Sequence, residues 1–168
     1  MADAPSTLKL ESFLPYRLSV LSNRISSAIA QLYSERYGLT VTEWRVVAVL
    51  ARFPDLSAND VARRTAMDKV AVSRAVARLL EAGRIERETA DGDRRRSVLR
   101  LSAEGLRIHR EVAPLALAFE RRLLAGMGAG ERALLLQMFD RLDGLDMDAE
   151  LAAACAQAGT EATTAGAA

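Results

Sequence analysis

A chain of 168 residues that is 50% hydrophobic and 27% charged, with a formal net charge of +1, can bury one substantial core and reads as one globular domain or two small ones, not as a disordered segment. No apolar run reaches the roughly 18 residues needed to span a bilayer. Met1 to Thr7 also lacks the basic start and hydrophobic stretch of a secretory signal, which points to a cytoplasmic location with no membrane partner. A single cysteine, Cys155, and a single histidine, His109, exclude an internal disulfide and a structural zinc site of the usual four ligands, so no metal and no cofactor are expected.

From Leu14 the apolar residues Leu18, Leu21, Ile25, Ile29 and Leu32 recur at helical spacing and form one stripe, which predicts a long amphipathic helix over residues 12–36 with Gly38 as its stop. Thr40 with Glu43 three positions later makes a capping box before a helix that ends near Phe53, ahead of Pro54. In that helix Trp44, Val46, Val47, Ala48, Val49, Leu50 and Ala51 leave little polar edge, as in a central helix buried on most sides. Ser57 with Asp60 suggests a further capped start over 58–65, followed without Gly or Pro by a helix over 68–82 that Gly83 closes. So short a joint requires the two helices to cross at an angle. Residues 84–89 and 97–101 read as strands around the charged turn 90–96. Ser102 caps a helix running to about Gly126, in which Pro114 predicts a kink or a break near Ala113. Leu134, Leu135, Met138, Leu142 and Leu145 then share one stripe of a last helix, and from Ala156 the Ala, Gly and Thr content predicts little fixed packing.

The central segment carries the chemistry. On the helix from Asp68, Val72, Ala75, Val76, Leu79 and Leu80 occupy one arc, and Val70, Ser73, Arg74, Ala77 and Glu81 the opposite one, with Lys69 and Arg78 at its margins. Small residues on an outer arc allow the backbone to approach another surface closely, and the major groove of DNA is about as wide as a helix. The plainer alternative is a half-buried Val70 beside a solvated Arg74. Residues 57–100 hold 11 basic against 7 acidic residues, and Arg94, Arg95 and Arg96 cannot all be neutralised by Asp91 and Asp93. Such a hairpin is either a solvated turn or the wing of a winged helix-turn-helix, and its place 15 to 20 residues after an angled helix pair favours the wing. Residues 142–168 carry five acids and no base, which keeps that end off a polyanion.

Met67-Asp68-Lys69, Val72-Ser73-Arg74, Leu79, Gly83, Asp93-Arg94-Arg95, Leu101-Ser102 and Gly105, with Gly38-Leu39-Thr40 before Glu43-Trp44, resemble the MarR family of winged helix-turn-helix transcription regulators over residues 12–145. The resemblance implies a mainly α fold with a two-stranded wing and long N- and C-terminal dimerisation helices. Its parts would be an N-terminal dimerisation helix (1–36), a DNA-binding domain (37–105), C-terminal dimerisation helices (106–155) and an Ala/Gly/Thr-rich tail (156–168). It implies a homodimer that binds a palindromic operator in double-stranded DNA, represses transcription and is relieved by a small aromatic or carboxylate effector. Lys69, Val70, Ser73 and Arg74 would face bases and phosphates in the major groove, and Arg78 a phosphate. Asp93 would brace the wing through Arg95 or Arg96 while Arg94 or Arg95 enters the minor groove. Ser57 can bond a phosphate at a helix N-terminus, or serve as a plain cap.

Tyr16, Trp44, Arg45 and His109 offer a phenol, an indole and a cationic edge for an effector pocket; the alternative places Trp44 in the core, Tyr16 at an interface and His109 on a helix surface. No Ser-His-Asp order, phosphate loop or metal cluster is present to support an enzyme, so no catalytic residue is assigned. A helical interaction module without DNA binding, and a thiol redox sensor using Cys155, stay open beside the regulator.

Overall fold

The computed structural model describes residues 8–89 and 97–165. It divides into two compact units, residues up to Glu120 and from Arg121 onward. The first unit begins with α1 (Leu14–Ala30), which has proline in its first turn, where a missing N–H leaves no helical bond unmade. The expected single helix over 12–36 is corrected here: Leu32 N–H and Tyr33 N–H donate to the carbonyls three residues back, Ile29 and Ala30, and a separate turn, α2 (Ser34–Tyr37), follows. The break turns Tyr33 into the core, where it is 1% exposed and stacks on Trp44 at 5.3 Å between ring centroids. Burial of a large side chain contributes about 1.5–3 kcal/mol, more than the tightened bonds forfeit. Gly38 then ends α2 at φ 61°, a left-handed conformation that favours glycine.

Three helices build the core. α3 (Val41–Arg52) opens on the expected capping box: Glu43 N–H donates to Thr40 Oγ1 at 3.2 Å and Thr40 N–H to Glu43 Oε2 at 2.8 Å. α4 (Ala58–Thr65) is capped by Ser57, and a sharp turn at Ala66 leads to α5 (Lys69–Glu81), whose cap Asp68 accepts from Val70 N–H and Ala71 N–H, both at 2.9 Å. Val46, Val47 and Leu50 of α3 pack with Val61 of α4 and with Val72, Val76 and Leu79 of α5, all at most 2% exposed.

β1 (Ile85–Thr89) and β2 (Ser97–Leu101) pair antiparallel with Arg87 opposite Leu99, and Leu56 adds a bridge on the other side of Leu99. Ile85 and Leu99 are the strands' buried anchors. Ser102 joins the hairpin to α6 (Ala103–Leu123): its Oγ donates to the Gly83 carbonyl at 2.7 Å and accepts from Gly105 N–H at 3.1 Å. At Gly105 the helix approaches Arg84 so closely that a Cβ would stand 2.0 Å from the Arg84 carbonyl oxygen. α6 runs through Pro114 without the break that the sequence left open; Pro114 is exposed, so water can serve the carbonyl of Arg110 that loses its donor. Ile108 and Val112 anchor α6 to the core. Tyr37 Oη donates to Glu111 Oε2 at 2.6 Å, and Arg36 and Arg107 pair with the same carboxylate, tying α2 to α6.

The second unit contains α7 (Ala129–Asp143) and α8 (Met147–Ala165). Gly128 N–H donates to Glu131 Oε2 at 2.7 Å before α7, and Asp146 caps α8 through the N–H groups of Asp148 and Ala149. The Ala-rich stretch after Ala156, expected to lack fixed packing, continues as helix to Ala165; alanine's high helix propensity supplies the structure that apolar burial does not. No helix among the described residues is long and apolar enough to cross a membrane.

Two outcomes follow from the α6 contacts. Gly105→Ala must displace backbone and should destabilise the protein by about 2–3 kcal/mol, whereas Gly130→Ala, with open space around it, should be neutral or stabilising by up to about 1 kcal/mol; urea titrations compare them. The hydrogen bond from Tyr37, aided by Arg107 and Arg36, holds the Glu111 carboxyl below the usual range. A lowered folded-state pKa contributes stability above the unfolded value of about 4.3 that is lost as the pH falls through the folded pKa. Glu111→Gln should therefore melt below the parent at pH 7, with the gap closing toward pH 3; a gap independent of pH would rule out the ionised carboxylate as the link.

Candidate functional site

α5 presents two unlike arcs. Val72, Ala75, Val76 and Leu79 are buried against α3 and α4, which leaves Lys69, Val70, Ser73, Arg74, Ala77 and Arg78 on the other side of the helix, all of them exposed. Val70 is 56% exposed despite its apolar side chain, and the residues around it are short enough for the helix backbone to lie close to a partner. The outer arc expected from the sequence is thus the solvent face of the helix, Ala77 included. Arg78 is partly engaged: one guanidinium nitrogen lies 3.8 Å from Oε1 of Glu43, a carboxylate that is itself buried, while the arginine side chain keeps 67% of its exposure.

Ser57 is occupied as a cap. Its hydroxyl donates to Asp60 Oδ2 at 2.6 Å and accepts from Asp60 N–H at 3.2 Å, and these bonds hold the Asp60 carboxyl below its ordinary pKa. A phosphate arriving at Ser57 would meet that carboxylate first. Asp93, Arg94, Arg95 and Arg96 lie outside the described residues. The strands that flank them are fixed at their base by Arg84, whose guanidinium donates to the Tyr37 carbonyl, and by Arg100, which pairs with Asp55 and Glu88. Sequence reasoning did not single out Arg100. Its place on β2, opposite Glu86 and diagonal to Glu88, was readable from the hairpin; its bond to Asp55, 45 residues earlier, carries no local signal.

Of the four residues grouped as an effector pocket, the structure brings two into ring contact. Trp44 stacks on His109 at 5.8 Å and on Tyr33 at 5.3 Å, so three rings from the α1–α2 turn, α3 and α6 form one column. Partial burial lowers the His109 pKa, which favours the neutral imidazole. Arg45, one position along α3, donates through Nη2 to Ser26 Oγ at 2.9 Å and so joins α3 to α1. Tyr16 stands apart: it is 45% exposed and lines a concavity formed only by residues 10–24, including Leu14, Leu21 and Arg24. Tyr33 was missed because it lay inside a presumed continuous helix. Cys155 is exposed on α8, and no cluster of three potential metal ligands occurs among the described residues.

This arrangement of helices and hairpin has counterparts. The sequence profile of the MarR family matches residues 37–96, from the end of α2 to the position before β2. The HTH-type transcriptional repressor Rv2887 of Mycobacterium tuberculosis is 26% identical over 131 residues, which cover 77% of this chain and 91% of the relative. Among solved structures, a MarR/EmrR family transcriptional regulator from Acinetobacter sp. ADP1 superposes with a TM-score of 0.74 at 25% identity, covering 81% of this chain and 96% of that one. The PcaV transcriptional regulator from Streptomyces coelicolor, solved in complex with its natural ligand, gives 0.64 at 26% identity, with 82% and 96% covered. Profile, relative and folds agree with the exposed arc of α5 and the two-stranded hairpin behind it: over residues 37–96 the chain matches the MarR family, and its fold is similar to that of the family's winged helix-turn-helix transcription regulators.

Proposed function

We propose that the protein acts as a homodimer which occupies a palindromic operator and represses transcription until a small aromatic or carboxylate compound releases it. The observation that carries this reading is the exposed arc of α5, where Lys69, Val70, Ser73 and Arg74 stand free of the core on a helix rigidly seated from behind. Lys69 and Arg74 supply cations for phosphates or guanine edges, and Ser73 and Val70 supply short contacts to base edges and thymine methyl groups. Arg94, Arg95 and Arg96 add positive charge from the hairpin, and Asp93 orients one of them. Repression is the activity named for the Mycobacterium relative.

Two supports bear on the dimer and the effector. Leu14, Leu18 and Leu21 on α1, and Leu134 and Met138 on α7, are exposed in the single chain at 36–52%, more apolar surface than a monomer gains from leaving bare. The Tyr33–Trp44–His109 column is joined to α1, through Arg45 and Ser26, and to α6. A flat aromatic acid meeting the open edge of these rings and the Arg45 cation would press on the elements that carry the dimer contacts. PcaV, of the same fold, was solved with a ligand bound.

The DNA reading is tested by titration against a duplex enriched from a randomised library of about 30 bp, long enough for half-sites with centres about 10 bp apart. Arg74→Ala should weaken binding to enriched and random duplexes alike, whereas Ser73→Ala and Val70→Ala should chiefly narrow the difference between them. Replacing Arg94, Arg95 and Arg96 together by Ala should flatten the plot of log K against log salt by about 0.9 for each phosphate that is no longer neutralised. Unchanged titrations for all of these variants would refute the assigned face and leave a helical interaction module as the better account. The dimer is tested by sedimentation: the parent should run at twice the 18.2 kDa chain mass at micromolar concentration, and Leu21→Glu, which puts a charge in the α1 stripe, should shift it toward the monomer.

A further inference from the structure

The outer face of the hairpin holds an arrangement that the DNA contacts above leave unused. Arg100 stands on β2, which has β1 along one side and the Leu56 bridge along the other. Its guanidinium reaches over both neighbours. Nε donates to Asp55 Oδ1 in the segment that leads into α4, and Nη1 donates to Glu88 Oε2 on β1 at 2.8 Å. Beneath it, Asp55 N–H donates to the Leu99 carbonyl at 3.2 Å and Leu99 N–H to the Leu56 carbonyl at 2.8 Å.

Three features of this triad are unexplained by stability. Asp55 holds φ at 66°, in a left-handed region that asparagine tolerates as well as aspartate does, so the backbone alone does not call for a carboxylate there. All three side chains are 46–49% exposed, and ion pairs so placed add little to folding. Lastly, a cation faced by two carboxylates is a poor ligand for phosphate, and two carboxylates on a DNA-facing hairpin oppose the polyanion. Geometry accounts for all three: α5 is reached from Asp55 through α4, and the arginine-rich sequence 94–96 lies in the chain between β1 and β2, so a side chain joining Asp55 to Glu88 through β2 sets the strands against the helices.

We propose that Asp55, Arg100 and Glu88 are positioning residues, a clamp that fixes the direction of the hairpin relative to α4 and α5 so that both surfaces engage one duplex together. The inference rests on the DNA-binding reading, and the sign of the effect separates it from simple electrostatics. Asp55→Asn keeps the shape and tolerates the left-handed backbone, yet it removes a negative charge near DNA. If the triad were a solvated ion pair, that change would tighten binding; a clamp predicts weaker binding, by about fivefold or more at fixed salt. Glu88→Gln carries the same opposed signs and serves if the first variant misfolds.

The measurement is the affinity of the full-length parent, Asp55→Asn, Glu88→Gln, Arg100→Gln and Arg74→Ala for the enriched duplex, with thermal melts to confirm the fold and hydroxyl-radical footprints of each complex. Weaker binding by the two acid-to-amide variants, with melting temperatures near the parent's and with loss of protection at the flanks but not at the centres of the half-sites, is the expected result. Parent-like or tighter binding by these folded variants overturns the clamp, as does uniform loss of protection across the site. If the parent itself shows no salt-sensitive binding, the DNA-binding reading falls and the clamp falls with it.

Discussion

The close approach of α6 to the turn after α5 governs how the N-terminal unit is assembled. Within four residues, the Ser102 hydroxyl binds the Gly83 carbonyl and the Gly105 N–H, Ser102 N–H reaches the Arg84 carbonyl, and that same carbonyl occupies the space where any side chain at 105 would begin. Arg84 also holds the Leu79 carbonyl through its own N–H and the Tyr37 carbonyl through its guanidinium. The end of α5, the first strand, the start of α6 and the end of α2 therefore share one small set of mostly backbone bonds. Because most of these bonds need no net charge, the junction of α5 with the base of β1 and the start of α6 is made independently of the ionic contacts farther out on the hairpin.

That independence divides α5 cleanly. Its inner arc is Val, Ala and Leu packed against α3 and α4, and its outer arc is left to residues that add nothing to the core. Glu43 stands at the boundary: it caps its own helix with one carboxylate oxygen and lies near Arg78 with the other, so a buried charge keeps both a hydrogen bond and a counterion. The outer residues are free of the packing that constrains the inner ones.

Much of this was legible from local chemistry. Capping boxes at Thr40 and Ser57, Asp68 before α5, Gly38 and Gly83 at left-handed turns, and the strand pattern on either side of residues 90–96 each rest on neighbours within a few positions, which is why sequence alone located them. What escaped depends on contacts across the chain. Tyr33 breaks a helix because Trp44 waits to stack on it, and Arg100 acquires meaning from Asp55. In the candidate pocket, helical spacing could not show that Trp44 and His109 meet while Tyr16 faces a different concavity.

The bond between Tyr37 and Glu111 spans 74 positions, and this separation has a consequence for the making of the protein. At a synthesis rate of about 5–20 residues per second, α1 and α2 leave the ribosome roughly 4–15 seconds before the stretch of α6 that will receive Tyr37. Throughout that interval Tyr37 lacks its final partner, and the exposed leucines of α1 stand beside a core that is still incomplete. The newborn N-terminus is thus the segment on which a chaperone, or a premature encounter with another nascent chain, has the longest opportunity to act.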